Sequence, residues 1–193
     1  MPLNRLAALL FVLPLPGLLA GCAGVALGGA ATGASIAHDA RTVGTIVEDQ
    51  TIELKAGKYL MDNKEVSAQV HINFTSYNTI VLVTGEAPAE DLRKSVIEIV
   101  SGIEKVRKVY DEIALEAPST MVSRSSDTLI TGKVKAQIFS IKDFEATRVK
   151  VVTERGAVYL MGLLSREEAD RVTEVARNVG GVQKVVKLFE YTD

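Results

Sequence analysis

The sequence predicts an α+β protein built from one small unit written twice. Each unit has the order α-β-β-α-β, with a three-stranded mixed sheet and two helices on one face. Three observations predict this. First, the chain repeats itself. Asp49-Gln50-Thr51-Ile52 aligns with Asp127-Thr128-Leu129-Ile130, Val81-Leu82-Val83-Thr84-Gly85 with Val158-Tyr159-Leu160-Met161-Gly162, and Gly102-Ile103-Glu104-Lys105-Val106 with Gly181-Val182-Gln183-Lys184-Val185. The offsets are 78, 77 and 79 residues, so only small insertions separate the copies. Second, each copy holds two segments of helical periodicity and three strand-like runs. Third, two copies are too few for a solenoid, which needs at least three, so they read as sister domains.

The elements follow in order. The first helix covers about Thr51–Met61 in one copy and Thr128–Phe139 in the other, with Asp49 or Gln50 and Asp127 as N-caps. A strand alternates Val70, Ile72 and Phe74 against His71 and Asn73; its counterpart is Arg148–Thr153. Turns at Tyr77-Asn78 and Glu154-Arg155-Gly156 lead into second strands at Thr79–Thr84 and Ala157–Met161. A second helix spans Ala89–Ser101 and Arg166–Val179. Ser165 and Glu168 make a capping box, and Gly102 and Gly180-Gly181 close the helices. Last strands run Val106–Ile113 and Val185–Tyr191. Gly85 and Gly162 read as points of close backbone approach at strand ends.

The N-terminus reads as an export signal. Arg5 precedes an apolar stretch, Leu6–Leu19, that is too short to span a bilayer comfortably, since a spanning helix needs about 20 residues. Leu19-Ala20-Gly21-Cys22 resembles the bacterial lipobox, in which the cysteine becomes the first mature residue and carries lipid. An ordinary signal peptide cut after a small residue is the alternative. Ala23, not Asp, follows the cysteine, and the sorting rule implied by the resemblance then permits delivery to the outer membrane. Gly24–Ser35 is low-complexity and small-residue: a flexible tether, or else a short apolar segment lying at the membrane surface. The expected division is a lipoprotein signal over 1–21, a lipidated tether over 22–47, domains over 48–116 and 126–193, and a linker over 117–125.

The repeated helix, the strand ending V-x-L-x-G (Val81–Gly85) and the Gly102 and Gly181 turns into the last strand resemble BON domains. Lipobox, small-residue tether and two such domains is the layout of the dual-BON outer-membrane lipoproteins. Arg41-Thr42-Val43-Gly44, Ser126–Thr131, Val151–Glu154 and Met161-Gly162-Leu163 share in the likeness. The resemblance implies a protein on the periplasmic side of the outer membrane that binds anionic phospholipid through its second domain. It also implies a role in envelope integrity, at the division site and under envelope stress, and no catalytic activity. Cys22 would carry diacylglycerol and an N-acyl chain; no other cofactor is expected.

The sequence tests the lipid expectation. On a helical wheel at about 100° per residue, Ile130, Val134 and Ile138 form one stripe within about 80°. Leu129, Gly132, Ala136 and Phe139 fall opposite, between about 180° and 260°, flanked by Lys133 and Lys135. Apolar residues edged by lysines suit an interface where acyl chains meet anionic headgroups. A seam against the first domain is the competing use of Leu129 and Phe139, and scattered exposure the third. In the first copy Leu54 and Met61 lie opposite the core stripe, but Lys58 interrupts them. In the family, tryptophan stands where this chain has Leu129, so Leu129 departs from the pattern and removes an interfacial anchor. The rival function is an adaptor that binds an outer-membrane assembly protein through the same face or a sheet edge.

Composition excludes several classes. The 22 Lys+Arg and 24 Asp+Glu are mixed along the chain, which excludes a strongly basic nucleic-acid binder. One cysteine excludes a disulfide framework, a CxxC redox pair and a cysteine zinc site. His38 and His71 lie far apart, so no all-protein metal site is expected. No phosphate loop, HExxH or GxSxG occurs, and no catalytic residue is expected. His71 reads as a sheet-surface histidine, and Glu86, Glu90 and Asp91 as the charged first turn of a helix.

Overall fold

The computed structural model describes residues 41–193; residues 1–40, with the export signal, Cys22 and most of the tether, lie outside the described residues. The first domain comprises α1 (Val43–Asp62), a short α2 (Lys64–Ser67), β1 (His71–Tyr77), β2 (Ile80–Ala87), α3 (Glu90–Ser101) and β3 (Lys108–Leu115). The second comprises α4 (Met121–Phe139), a 3-10 turn (Ala146–Arg148), β4 (Val149–Glu154), β5 (Ala157–Leu164), α5 (Arg166–Arg177) and β6 (Lys184–Tyr191). In each three-stranded sheet the middle strand, β2 or β5, pairs antiparallel with the strand before it and parallel with the strand after it. The antiparallel step needs only a tight turn, whereas the parallel step needs a crossover, which α3 and α5 supply. The α-β-β-α-β expectation is met in both copies.

Both tight turns have two successive left-handed residues, Asn78 (φ 51°) and Thr79 (φ 62°), then Arg155 (φ 52°) and Gly156 (φ 74°). This backbone matches the twist of the flanking strands, but Thr79 is β-branched and strained there. Asp49 offsets the strain. Its carboxylate accepts the N–H groups of Asn78 and Thr79 at 2.8 and 2.7 Å, the hydroxyl of Ser76 at 2.6 Å, and Arg41 Nη1 at 2.7 Å. Asp127 does the same work in the second domain, accepting Arg155 N–H at 2.8 Å and Gly156 N–H at 2.9 Å. The expectation that Asp49 or Gln50 and Asp127 cap their helices is therefore corrected. The caps are Thr42 and Thr120, whose side chains accept the backbone N–H of Thr45 and Ser123. Helices α1 and α4 consequently start eight and seven residues before the expected Thr51 and Thr128.

Each sheet has two buried faces. On one, the domain's own helices pack. Ile52, Ala56 and Leu60 of α1 and Val96 and Val100 of α3 cover Val81 and Val83 of β2. Ile130, Val134 and Ile138 of α4 with Val172 of α5 cover Val158 and Leu160 of β5. Full burial of each of these Val, Leu and Ile side chains contributes about 1.5–3 kcal/mol. On the other face the two sheets meet back to back. Tyr77, Ile80 and Leu82 pack in one cluster with Tyr159, Met161 and Leu188. Polar contacts cross the seam as well: Tyr77 Oη donates to Arg148 O at 3.0 Å, Arg107 pairs with Glu190 at 2.9 Å, and Lys150 with Glu53 at 2.9 Å. Tyr159 Oη donates to Glu112 at 3.3 Å, and its phenol is pushed up by burial and by the Glu112 charge.

Glu86 requires a correction. It belongs to β2, is 1% exposed, and takes no part in the first turn of α3. The strand runs on to Ala87 because Gly85 lets it: a Cβ at Gly85 (φ 121°) would sit 1.9 Å from His71 O. Gly162 holds the equivalent place, where a Cβ would lie 2.8 Å from Arg148 O. Both glycines serve close backbone approach, as expected.

Candidate membrane-binding face

Helix α4 is amphipathic for the core on one side and apolar again on the other. The sheet fixes its rotation, because Ile130, Val134 and Ile138 are buried together with the turn-clamping Asp127. What remains outward is therefore set. Leu129 is 66% exposed and Phe139 78%. Gly132, Lys133, Lys135 and Ala136 are exposed beside them. All six residues expected on this face are brought together on it. The competing use, an inter-domain seam of Leu129 and Phe139, is overturned: the seam is made by the backs of the sheets.

The earlier start of α4 adds two residues that sequence reasoning missed. Met121 and Val122 are exposed and fall at about 180° and 280° on the same wheel, one inside the outer sector and one at its edge. Over 19 residues the stripe runs about 28 Å, from Met121 to Phe139. Its signal was the Thr120 cap, which sits one residue before an apolar pair. At the C-terminal end, a cavity of about 270 Å³ opens beside Phe139, lined by Lys135, Ile138, Ala146 and Val149 among others.

The electrostatics of the face come from its lysines. Neither Lys133 nor Lys135 makes an ion pair among the described residues, and α4 has a single acidic residue, the buried Asp127. The corresponding α1 is different. It exposes Val43, Val47, Leu54 and Met61, a longer row than Leu54 and Met61 alone. Most of its charges, however, are engaged, Lys55 excepted: Lys58 bonds Asp62, which holds the Lys58 ammonium above its ordinary range. Glu48 pairs with Lys105 at 2.6 Å, Asp49 with Arg41, and Glu53 with Lys150. No described helix is long and apolar enough to cross a membrane. Side chains with metal-ligating potential lie away from both helices' outer faces, at the seam: His71, Glu86 and Glu154.

Comparison with known proteins gives the same repeat. The BON domain family model matches residues 48–117 and again 126–193. The outer membrane lipoprotein DolP of Haemophilus influenzae is 34% identical over 192 residues, covering 100% of this chain and 98% of that protein. A 21 kDa hemolysin of Actinobacillus pleuropneumoniae is 37% identical over 79% of each chain. The osmotically-inducible protein Y of Escherichia coli is 25% identical, over 74% of this chain and 72% of its own length. None of the three is named as an enzyme. With two family matches laid over two sheets of the same strand order, and similarity running end to end, the chain belongs to the BON domain family.

Proposed function

We propose that this chain is an outer-membrane lipoprotein, anchored by lipid on Cys22 and facing the periplasm, whose second domain binds anionic phospholipid through the outer face of α4. The carrying observation is an exposed apolar row on one side of α4, Met121, Val122, Leu129 and Phe139, edged by two lysines that have no ion-pair partner among the described residues. Insertion of Leu129 and Phe139 would contribute about 1.5–3 kcal/mol each, and each lysine about 1 kcal/mol near an anionic surface. That sum gives a modest affinity, which suits a protein already held at the membrane by acyl chains. End-to-end similarity to a protein named as an outer membrane lipoprotein supports the location. In this reading the protein is not an enzyme. It supports envelope integrity, including at the division site, by marking or organising anionic lipid.

Co-sedimentation with vesicles tests it. The folded protein should pellet with phosphatidylglycerol vesicles and not with phosphatidylcholine vesicles, and Leu129→Glu with Phe139→Glu should abolish pelleting without unfolding the domain. Unchanged pelleting by the folded double mutant would sink the assignment. For the anchor, Cys22→Ser should abolish palmitate incorporation and release the protein from the membrane fraction. Continued labelling would place the lipid elsewhere.

A second reading, an adaptor for an outer-membrane assembly protein, is favoured by α1. Its outward row Val43, Val47, Leu54 and Met61 is apolar while most of its charges are paired, which fits a protein surface better than anionic headgroups. Cross-linking from Leu54 to a protein in intact cells, with lipid binding undisturbed, would establish it beside the first.

A further inference from the structure

Between the two sheets, one imidazole nitrogen and two carboxylates converge. The ligating atoms of His71, Glu86 and Glu154 all lie within 4.8 Å of one another. They come from three strands and both domains. His71 and Glu86 face each other across the β1–β2 pair, with His71 Nδ1 3.1 Å from Glu86 Oε2. Glu154 closes β4 of the second domain. Glu86 is 1% exposed and Glu154 7%.

Two buried carboxylates at this separation repel each other in a poorly solvated place. Burial and the Glu86 charge push the Glu154 carboxyl above its ordinary range, against a hydrogen bond from Asn73. The surrounding donors orient these groups and leave one need unmet. Ser119 N–H donates to Glu86 Oε2 at 3.2 Å, and Asn73 Nδ2 to Glu154 Oε2 at 3.1 Å. Glu86 Oε1 is fully buried and has no hydrogen-bond donor within reach among the described residues. Buried polar atoms are nearly always satisfied, so an orphan calls for a further partner. A divalent cation would balance both carboxylates.

We propose that His71, Glu86 and Glu154 form a binding site for a divalent transition-metal ion of the zinc class, which ties β1 and β2 of the first domain to β4 of the second. The donor set sets the class. Imidazole and carboxylate together suit zinc-like ions, whereas calcium and magnesium prefer oxygen ligands alone. The spacing is close to ready. Ligands about 2.0–2.2 Å from a zinc ion stand about 3–3.5 Å apart. His71 and Glu86 already have that bite, and the Glu154 carboxylate stands within 4.8 Å of both. Asn73 and Ser119 donate hydrogen bonds to the carboxylates, as outer groups do in metal sites. A cavity of about 440 Å³, bordered by His71, Asn73 and Glu154, gives the ion a path in and room for water on its remaining positions.

The test is a zinc titration of the full chain in mild detergent, carrying Cys22→Ser to remove the competing thiol, against a chromogenic chelator. One saturable zinc per chain is expected. His71→Asn and Glu154→Gln should each weaken it by at least about tenfold, and His38→Asn should leave it unchanged. Zinc should also raise the melting temperature of the parent protein and not that of His71→Asn. Circular dichroism establishes that each variant folds, and Glu154→Gln carries the test should His71→Asn fail to. The proposal is overturned by the absence of saturable zinc, by undiminished binding in the folded variants, or by magnesium or calcium binding as tightly as zinc.

Discussion

Helices α1 and α4 hold the same place in their domains and turn similar rows outward. One shows Val43, Val47, Leu54 and Met61, the other Met121, Val122, Leu129 and Phe139. Apolar exposure alone would therefore assign them the same partner. Their charges do not match. On α1, Glu48, Glu53 and Lys58 are all committed to ion pairs, while on α4 both Lys133 and Lys135 are uncommitted among the described residues. A repeated unit has kept one geometry and divided its electrostatics: α4 offers two unpaired lysines to an anionic surface, where α1 offers Lys55 alone among the described residues. The division is a matter of neighbours as much as of sequence. Lys105 and Lys150, which neutralise α1, come from the α3–β3 connection of the first domain and from β4 of the second.

Charge reversal breaks this comparison most sharply. Lys133→Glu with Lys135→Glu should cost about 4 kcal/mol, about a thousandfold in affinity for phosphatidylglycerol vesicles. Leu54→Glu with Met61→Glu on α1 should leave that affinity as it is. Equal losses from both pairs would mean the two helices share the work.

The turn clamps come next. Asp49 accepts two backbone N–H groups, a hydroxyl and a guanidinium, against two N–H groups for Asp127. Asp49→Ala should cost about 3 kcal/mol, because it removes the carboxylate that pairs with Arg41 and the clamp that holds a strained Thr79. Asp127→Ala should cost about 2 kcal/mol. Chemical denaturation measures both, and the reverse order would show that the clamp at Asp49 is redundant.

Leu129→Trp should tighten vesicle binding by about 1 kcal/mol, since an indole adds an interfacial anchor that leucine lacks. Co-sedimentation at matched salt reads the change. Weaker binding would mean that Leu129 sits deeper than the headgroup region.

The smallest effects concern the second helices. Helix α5 has a capping box, with Ser165 accepting Glu168 N–H and Glu168 accepting Ser165 N–H. Helix α3 begins at Ala89 with no side-chain cap. Ala89→Ser should stabilise the first domain by about 1 kcal/mol in thermal unfolding. Burial opposes ionisation of Glu168, but the Ser165 N–H and Arg148 outweigh it and hold the carboxyl below its ordinary range. Its contribution is therefore present above the usual carboxylate range and is lost as pH falls through the lowered value. Glu168→Gln keeps a capping acceptor and should remove about 0.5–1 kcal/mol at neutral pH and none in acid. A loss that persists at low pH would assign the effect to packing.

Much of this was legible in the residues. The self-alignment at Asp49 and Asp127 marks the repeat, and the spacing of Ile130, Val134 and Ile138 fixes which side of α4 is buried, so Leu129 and Phe139 had to point away from the sheet. The helix starts were harder to place, because an aspartate before an apolar run looks like a cap and competes with Thr42 and Thr120. The partners of Asp49 and Asp127 instead lie in turns up to 30 residues further on, and only the folded chain brings them together. The seam does have a sequence signal. Ile80–Val83 and Val158–Met161 are apolar without alternation, which marks a strand buried on both faces. The place of Glu86 was hidden by Pro88 just beyond it, which reads as the start of a helix. Its approach to Glu154 depends on the packing of two domains.

The most direct test is residue-resolved. Backbone amide shifts of the isotopically labelled protein, followed on adding micelles that contain phosphatidylglycerol, should move and broaden along the outward positions from Met121 to Phe139. Shifts within Val43–Asp62 should stay at baseline. Perturbation centred on α1, or spread equally over both helices, would contradict the assignment of lipid recognition to the second domain.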